Sequence, residues 1–215
     1  MMMHSMKNTL MLFPLIFLLS LPLQAGETVS LFDGKTLTGW TTVREEDAKY
    51  WSVIDGVITG GDGMQKIPHN SFLRTVKEYG DFEFRCLFRL TGDPASGLIN
   101  SGIQYRSAAD GKHMIGYQAD IGNNYWGDIY DEKRRNKALL KGDLSTLSKI
   151  LQPMGWNSYI IRCIGNRHET YINGVKVADY VEEDPSIPAK GYFGIQLHSG
   201  GNAKIEFSDI TVTEL

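Results

Sequence analysis

Cysteine is scarce in this sequence, helical patterning is almost missing and no block of like charge occurs; each shortage closes off a class of protein. Only two cysteines stand among the 215 residues, Cys86 and Cys163. That excludes a disulfide-dense scaffold, and with no Cys-x-x-Cys or matching histidine pair it gives no support to a zinc module. Both lie in apolar, alternating segments, so they are either one bridge or two buried thiols. The 22 lysines and arginines face 25 acids, and the longest basic run, Lys133-Arg134-Arg135, is flanked by acids. This balance argues against nucleic acid as a partner. The glycine-rich stretch Gly60–Gly63 leads into neither a helix nor a Gly-Lys-Ser/Thr sequence, so it is not a phosphate cradle.

Long apolar runs are also lacking, with one exception. Leu10–Leu21 follows Lys7 and precedes Pro22-Leu23-Gln24-Ala25. It is too short to span a bilayer and ends on a small residue, which is the make-up of a secretory signal peptide cleaved after Ala25. No cysteine near that site could carry a lipid, so the expected product is secreted or periplasmic and free of the membrane. The remaining 26–215 form one domain, long enough to bury about 70% of its unfolded surface.

What is present is strand and turn. Apolar residues alternate through Val29–Phe32, Trp51–Ile58, Phe82–Arg89, Leu98–Arg106, Met114–Ile121 and Trp126–Tyr130. They do so again through Trp156–Ile164, Glu169–Val177, Gly191–His198 and Ile205–Val212. Asp55-Gly56 and Asn173-Gly174 supply hairpin turns, and a register change is expected near Ser208-Asp209. Glu132–Leu151 is the one helical or irregular excursion. No helix separates successive strands, which excludes a parallel α/β fold, and no internal repeat occurs. The pattern predicts an all-β fold, an antiparallel β-sandwich of jelly-roll type.

The stretch Gly116–Asn136 concentrates the chemistry. With a period of two, Gln118 and Asp120 share one face against Tyr117, Ala119 and Ile121. Across a glycine/asparagine loop, Trp126, Asp128, Tyr130 and Glu132 share another. Acids, amides and aromatic rings in this density suit a sugar-binding cleft. Asp120 and Glu132 are the candidate catalytic acids, with Tyr130 and His198 beside them. Asp120 could instead cap the loop through Asn123 and Asn124, and Glu132 could pair with Arg135 or Asn136. Gln104, Arg106, Gln118 and Gln196 fall on polar faces of strands and are candidate substrate contacts, as is Arg135. Arg106 could equally be a partner for Asp120. Trp126 could stack on a sugar face or belong to the core. His113 and His168 lie near turns and receive no role.

Taken in order, LFDGKTLTGW, WSVIDGVITG, YGDFEFRCLFR, INSGIQYRS, GYQADIG, INGVKVAD and the closing GYFGIQLHSGGNAKIEFSDITVTEL resemble the 3-keto-disaccharide hydrolase domain family. The likeness extends over essentially all of 26–215. It implies a concanavalin A-like jelly roll acting on mono- or disaccharide glycosides oxidised at carbon-3. It also implies a functional link to a sugar 3-oxidoreductase acting upstream. Many members carry glutamate and then glutamine on the glycine-tyrosine strand, where this chain has Gln118 and Asp120.

A ketone at carbon-3 acidifies the hydrogen on carbon-2, so a base can start an elimination that expels the group on carbon-1, with water adding afterwards. Asp120 or Glu132 is the expected base, Arg106 or His198 the donor to the enolate oxygen, and Tyr130 or His198 the acid. This step needs no redox cofactor. A divalent metal stays open as a carbonyl polariser, for which Asp120 and Asn123 are weak donors with no recognised spacing. Direct displacement needs two carboxyl groups about 5 to 5.5 Å apart. No Glu-x-Asp-x-x-Glu strand occurs to provide them, so it ranks second. A sugar-binding sandwich without catalysis is the third reading.

Overall fold

The computed structural model describes residues 26–215; the expected signal segment 1–25 lies outside them. The strands are, in order, β1 (Thr28–Ser30), β2 (Trp40–Thr42), β3 (Trp51–Ile54), β4 (Val57–Gly60), β5 (Ser71–Tyr79) and β6 (Phe82–Asp93). They continue as β7 (Asn100–Ala109), β8 (Met114–Gly122), β9 (Ile129–Glu132), β10 (Ala138–Leu140), β11 (Asn157–Ile164), β12 (Arg167–Ile172), β13 (Val175–Val181), β14 (Gly191–Leu197) and β15 (Asn202–Glu214). One short helix, α1 (Leu144–Ile150), starts where the Asp143 carboxylate accepts the Ser145 and Thr146 N–H groups.

These strands form two antiparallel sheets. The back sheet runs β13-β12-β11-β6-β15-β4-β3, with β1 added on β15; the front sheet runs β10-β9-β8-β7-β14-β5-β2. The core lies between them. From the back sheet, Phe82, Phe84, Cys86 and Phe88 alternate inward along β6; from the front come Ile103, Tyr105, Tyr117, Ala119, Ile121, Phe193 and Ile195. Phe82 meets Phe193 edge-on, with ring centroids 4.6 Å apart. Each of the buried phenylalanines and isoleucines contributes about 1.5–3 kcal/mol through burial. The sandwich predicted from the alternation is the fold observed.

Local geometry follows the turn chemistry. Asp55 and Gly56 (φ 50° and 79°), like Asn173 and Gly174 (φ 49° and 79°), give the twisted two-residue turns that match strand twist. The register of β15 shifts between Ser208 and Thr211, where Asp209 has φ 49°. The two cysteines are free and buried. Cys86 lies opposite Tyr159 and Cys163 opposite Phe82, so they are four positions apart along paired strands. That is about 13 Å, beyond the reach of a disulfide.

Several segments depart from the sequence expectation, among them the short strands β2 and β10, which the alternation does not mark. Strand β5 was not foreseen, because Phe72 and Leu73 are both buried and the expected alternation is broken. The strand expected over Trp126–Tyr130 begins only at Ile129. The residues before it form a tight turn with Asn124 and Gly127 at positive φ (69° and 76°), closed by Asp128 N–H on the Tyr125 carbonyl at 3.0 Å.

Candidate active site

Register on the front sheet assembles a polar patch on the face turned away from the core. Gln118 of β8 lies between Gln104 of β7 and Tyr130 of β9, and Asp120 lies opposite Gly102. A side chain at 102 would collide with Gln118, whose Cγ and Cδ would sit 2.6 Å from its Cβ. The glycine therefore makes room for the amide to lie flat beside Asp120. The result is a pocket of about 230 Å³ floored by Asn100, Gln118, Asp120, Gln196 and His198 and walled by Tyr130 and Glu132. Asn70, Leu98 and Tyr125 complete its rim.

Its titratable groups are shifted in a consistent way. Asp120 is 5% exposed, and burial pushes its carboxyl well above the usual range; Gln118 opposes this by donating to Oδ1, while Asp128 and Glu132 add repulsion. Burial also raises Glu132, against the attraction of Lys133 and His113. Among the described residues the Glu132 carboxylate has no hydrogen-bonded or ion-paired partner. Burial lowers the His198 imidazole, so it is neutral near pH 7. Its Nδ1 accepts the Gly200 N–H at 2.9 Å, which leaves the proton on Nε2 as a donor. The Tyr130 hydroxyl is raised by burial and by the acids around it, and stays protonated.

Asp120, Glu132, His198, Tyr130, Gln118 and Gln196 are thus brought together, and four other candidates are not. Gln104 is fully buried behind Gln118, to whose Oε1 it donates at 2.7 Å. Arg106 was expected on the face of Gln104, but a bulge between Tyr105 and Ala108, with Arg106 at φ 45°, turns it away. Its guanidinium donates to the Gly80 and Gly165 carbonyls and to Asp81 at 2.9, 2.6 and 2.7 Å. Trp126 sits in the turn, packed on Phe88 with centroids 6.1 Å apart, and lines a separate hollow with Asn123. Arg135 is folded back by the turn at Lys133 and Asn136 (φ 58° and 50°) onto Asp131 and Glu182. Asp128, also expected on the acid face, accepts the Gly142 N–H at 2.9 Å instead.

Sequence reasoning gave no role to Asn70, Leu98, Asn100 or Tyr125. Asn70 precedes the unforeseen β5, where its Oδ1 accepts the Ser199 N–H and hydroxyl, each at 3.0 Å. Tyr125 is 42% exposed at the loop tip. An aromatic ring inside an Asn-Asn turn is the signal that could have found it.

Residues 27–213 match the 3-keto-alpha-glucoside-1,2-lyase-like domain, the 3-keto-disaccharide hydrolase domain. The chain belongs to this family. Membership supports a carbohydrate-related role for this 3-keto-disaccharide hydrolase domain. Among solved structures, it is similar to a Parabacteroides distasonis protein provisionally named a glycosyl hydrolase (21% identity, 87% of this chain and 94% of that one, TM-score 0.66). It is also similar to the carbohydrate binding module CBM66 from Bacillus subtilis (17%, 81% and 94%, 0.61). A further Bacillus subtilis protein with a galectin-like fold matches at 10% identity (88% and 96%, 0.64). At these identities the likeness is one of fold. No curated protein matches the chain.

Proposed function

We propose that this domain cleaves the glycosidic bond of sugars carrying a ketone at carbon-3, with Glu132 as base and Asp120 as acid. The observation that carries the assignment is the unequal setting of two carboxyl groups in one pocket. Asp120 is buried, hydrogen-bonded at one oxygen and favoured in its protonated form; Glu132 is more open and unpaired. Glu132 takes the proton from carbon-2, and the electron pair left behind forms the enolate with its charge on the carbon-3 oxygen. His198 donates its Nε2 proton as a hydrogen bond to that oxygen. The enolate then re-forms the ketone, a double bond forms between carbon-1 and carbon-2, and the carbon-1 oxygen leaves with the proton from Asp120. Water added across the double bond completes a net hydrolysis. Tyr130 and Asn100 are placed to bind sugar hydroxyls.

The ketone must come from a separate oxidoreductase, since nothing in this chemistry makes one. The apolar run Leu10–Leu21 ahead of Ala25 supports an exported enzyme; a native protein that retained Met1 or Lys7 would overturn that part. The chemistry is tested by comparing a 3-keto glucoside with the plain glucoside. The expected result is turnover of the first and none of the second, because without the ketone the carbon-2 hydrogen is not acidic enough for a carboxylate. Equal turnover of both would favour direct displacement. Binding of both with turnover of neither would leave a carbohydrate-binding domain, the reading that the CBM66 likeness supports.

A further inference from the structure

Three glutamines from three strands meet behind the acid, and their hydrogen bonds have a direction. Gln104 Nε2 donates to Gln118 Oε1 at 2.7 Å, and Gln196 Nε2 donates to the same oxygen at 3.1 Å. Gln104 is itself held by the Ser107 hydroxyl, which donates to its Oε1 at 2.8 Å. With its oxygen taken twice, Gln118 can turn only its nitrogen towards Asp120, where it donates to Oδ1. Gln196 aims its nitrogen inward at a cost: its own Oε1 is buried with no partner among the described residues. A buried acceptor left bare costs about 1–3 kcal/mol as a rule, so the orientation calls for an explanation.

We propose that Gln104 and Gln196 are positioning residues that fix the Gln118 amide so that Asp120 carries its proton on Oδ2, the oxygen left for the pocket. The proposal rests on Asp120 being the acid. Were Gln118 free to rotate, its Oε1 would accept the Asp120 proton and draw it out of the pocket. The neutral carboxyl would then be stabilised and useless as a donor. The relay thus selects which oxygen is protonated and keeps that proton transferable. The other groups facing Asp120 are Glu132 and Tyr130 on β9, Asp128 in the turn, His198 beyond β14 and Tyr159 on β11. None of them donates a hydrogen bond to its carboxyl among the described residues.

The test is a carbon-13 titration of the Asp120 carboxyl in the full chain, assigned by its disappearance in Asp120→Asn. Gln104→Met and Gln196→Met keep side-chain length while removing one donor each. Each should raise the midpoint by part of a pH unit, since one donor still holds the Gln118 oxygen, and the double variant by about one unit or more, the worth of one hydrogen bond to a charged group. A merely structural role moves the midpoint the other way, because a loosened sheet admits water and favours the charged form. An unchanged or lowered midpoint in either folded variant would overturn the proposal. Turnover is the second arm: kcat for an alkyl 3-keto glycoside should fall about 10- to 100-fold while KM holds. If the wild-type domain turns over no 3-keto glycoside and the midpoints still rise, the functional reading fails and the relay stands.

Discussion

Neighbouring residues on the same strands build two charged clusters of opposite character. Glu132 faces the pocket unpaired, while Asp131, one residue earlier and fully buried, is held by both Arg134 and Arg135. Gln118 lies beside the acid, while Tyr117 points through the sheet and donates its hydroxyl to Glu182 at 2.7 Å. Glu182 also receives Arg135, the Tyr180 hydroxyl and the Asp184 N–H. Burial works against its charge, yet these donors hold its carboxyl below the usual range. His168 closes that cluster, pushed down to about 3 by burial and by Arg106, with its ring 4.4 Å from Tyr117. Among the described residues Asp131 and Glu182 are each held by several donors, whereas Glu132 has no partner and Asp120 a single amide donor. On the proposed function, the difference is that between charge that holds the fold and charge kept for chemistry.

Substitution should divide the two clusters cleanly. Glu132→Gln is expected to lose 10²- to 10⁴-fold in kcat, roughly the worth of a positioned base, with thermal unfolding nearly unchanged. Asp131→Asn should do the reverse. Leaving two arginines without their shared acid should cost about 3 kcal/mol in denaturant unfolding, with kcat retained per folded molecule. A large loss of activity in folded Asp131→Asn would break the distinction.

The pH dependence of stability sharpens it, because the signs are opposite. Glu182 has a lowered pKa in the folded state, so it stabilises above the ordinary glutamate range and that contribution is lost as pH falls. Asp120 has a raised one, so the folded state holds its proton longer and stability falls as pH rises between its unfolded and folded values. Glu182→Gln should therefore flatten the profile below the ordinary glutamate range, and Asp120→Asn the fall that sets in as pH rises above the ordinary aspartate range. Identical profiles for the two variants would contradict the account. The smallest effect belongs to the rim. Tyr125→Ala should raise KM about 2- to 10-fold through lost stacking and leave kcat alone.

The sandwich was legible because β6, β8, β11 and β14 alternate with few exceptions, and two-residue turns announce themselves through Asp-Gly and Asn-Gly. The site was only half legible. Gln118, Asp120, Tyr130 and Glu132 follow from counting by two, which holds while the strand stays regular. Arg106 fails where a bulge adds a residue and reverses the facing, and no residue type in Gln104–Ser107 signals the break. Trp126 fails because the turn through Asn124 and Gly127 delays the strand until Ile129. Arg135 was one of three basic residues in a turn, and the local Asp131 and the distant Glu182 together set its direction. Pairing across long sequence separation is what a count by two cannot supply.

The most direct test of the account is the fate of the carbon-2 hydrogen. A 3-keto glucoside turned over in heavy water should yield product with solvent deuterium at carbon-2, and carbon-2 deuteration of the substrate should slow turnover where proton removal limits the rate. Glu132→Gln should suppress the label and the rate together. Product formed at the wild-type rate with its original carbon-2 hydrogen intact would contradict base-initiated elimination and leave direct displacement as the chemistry of this pocket.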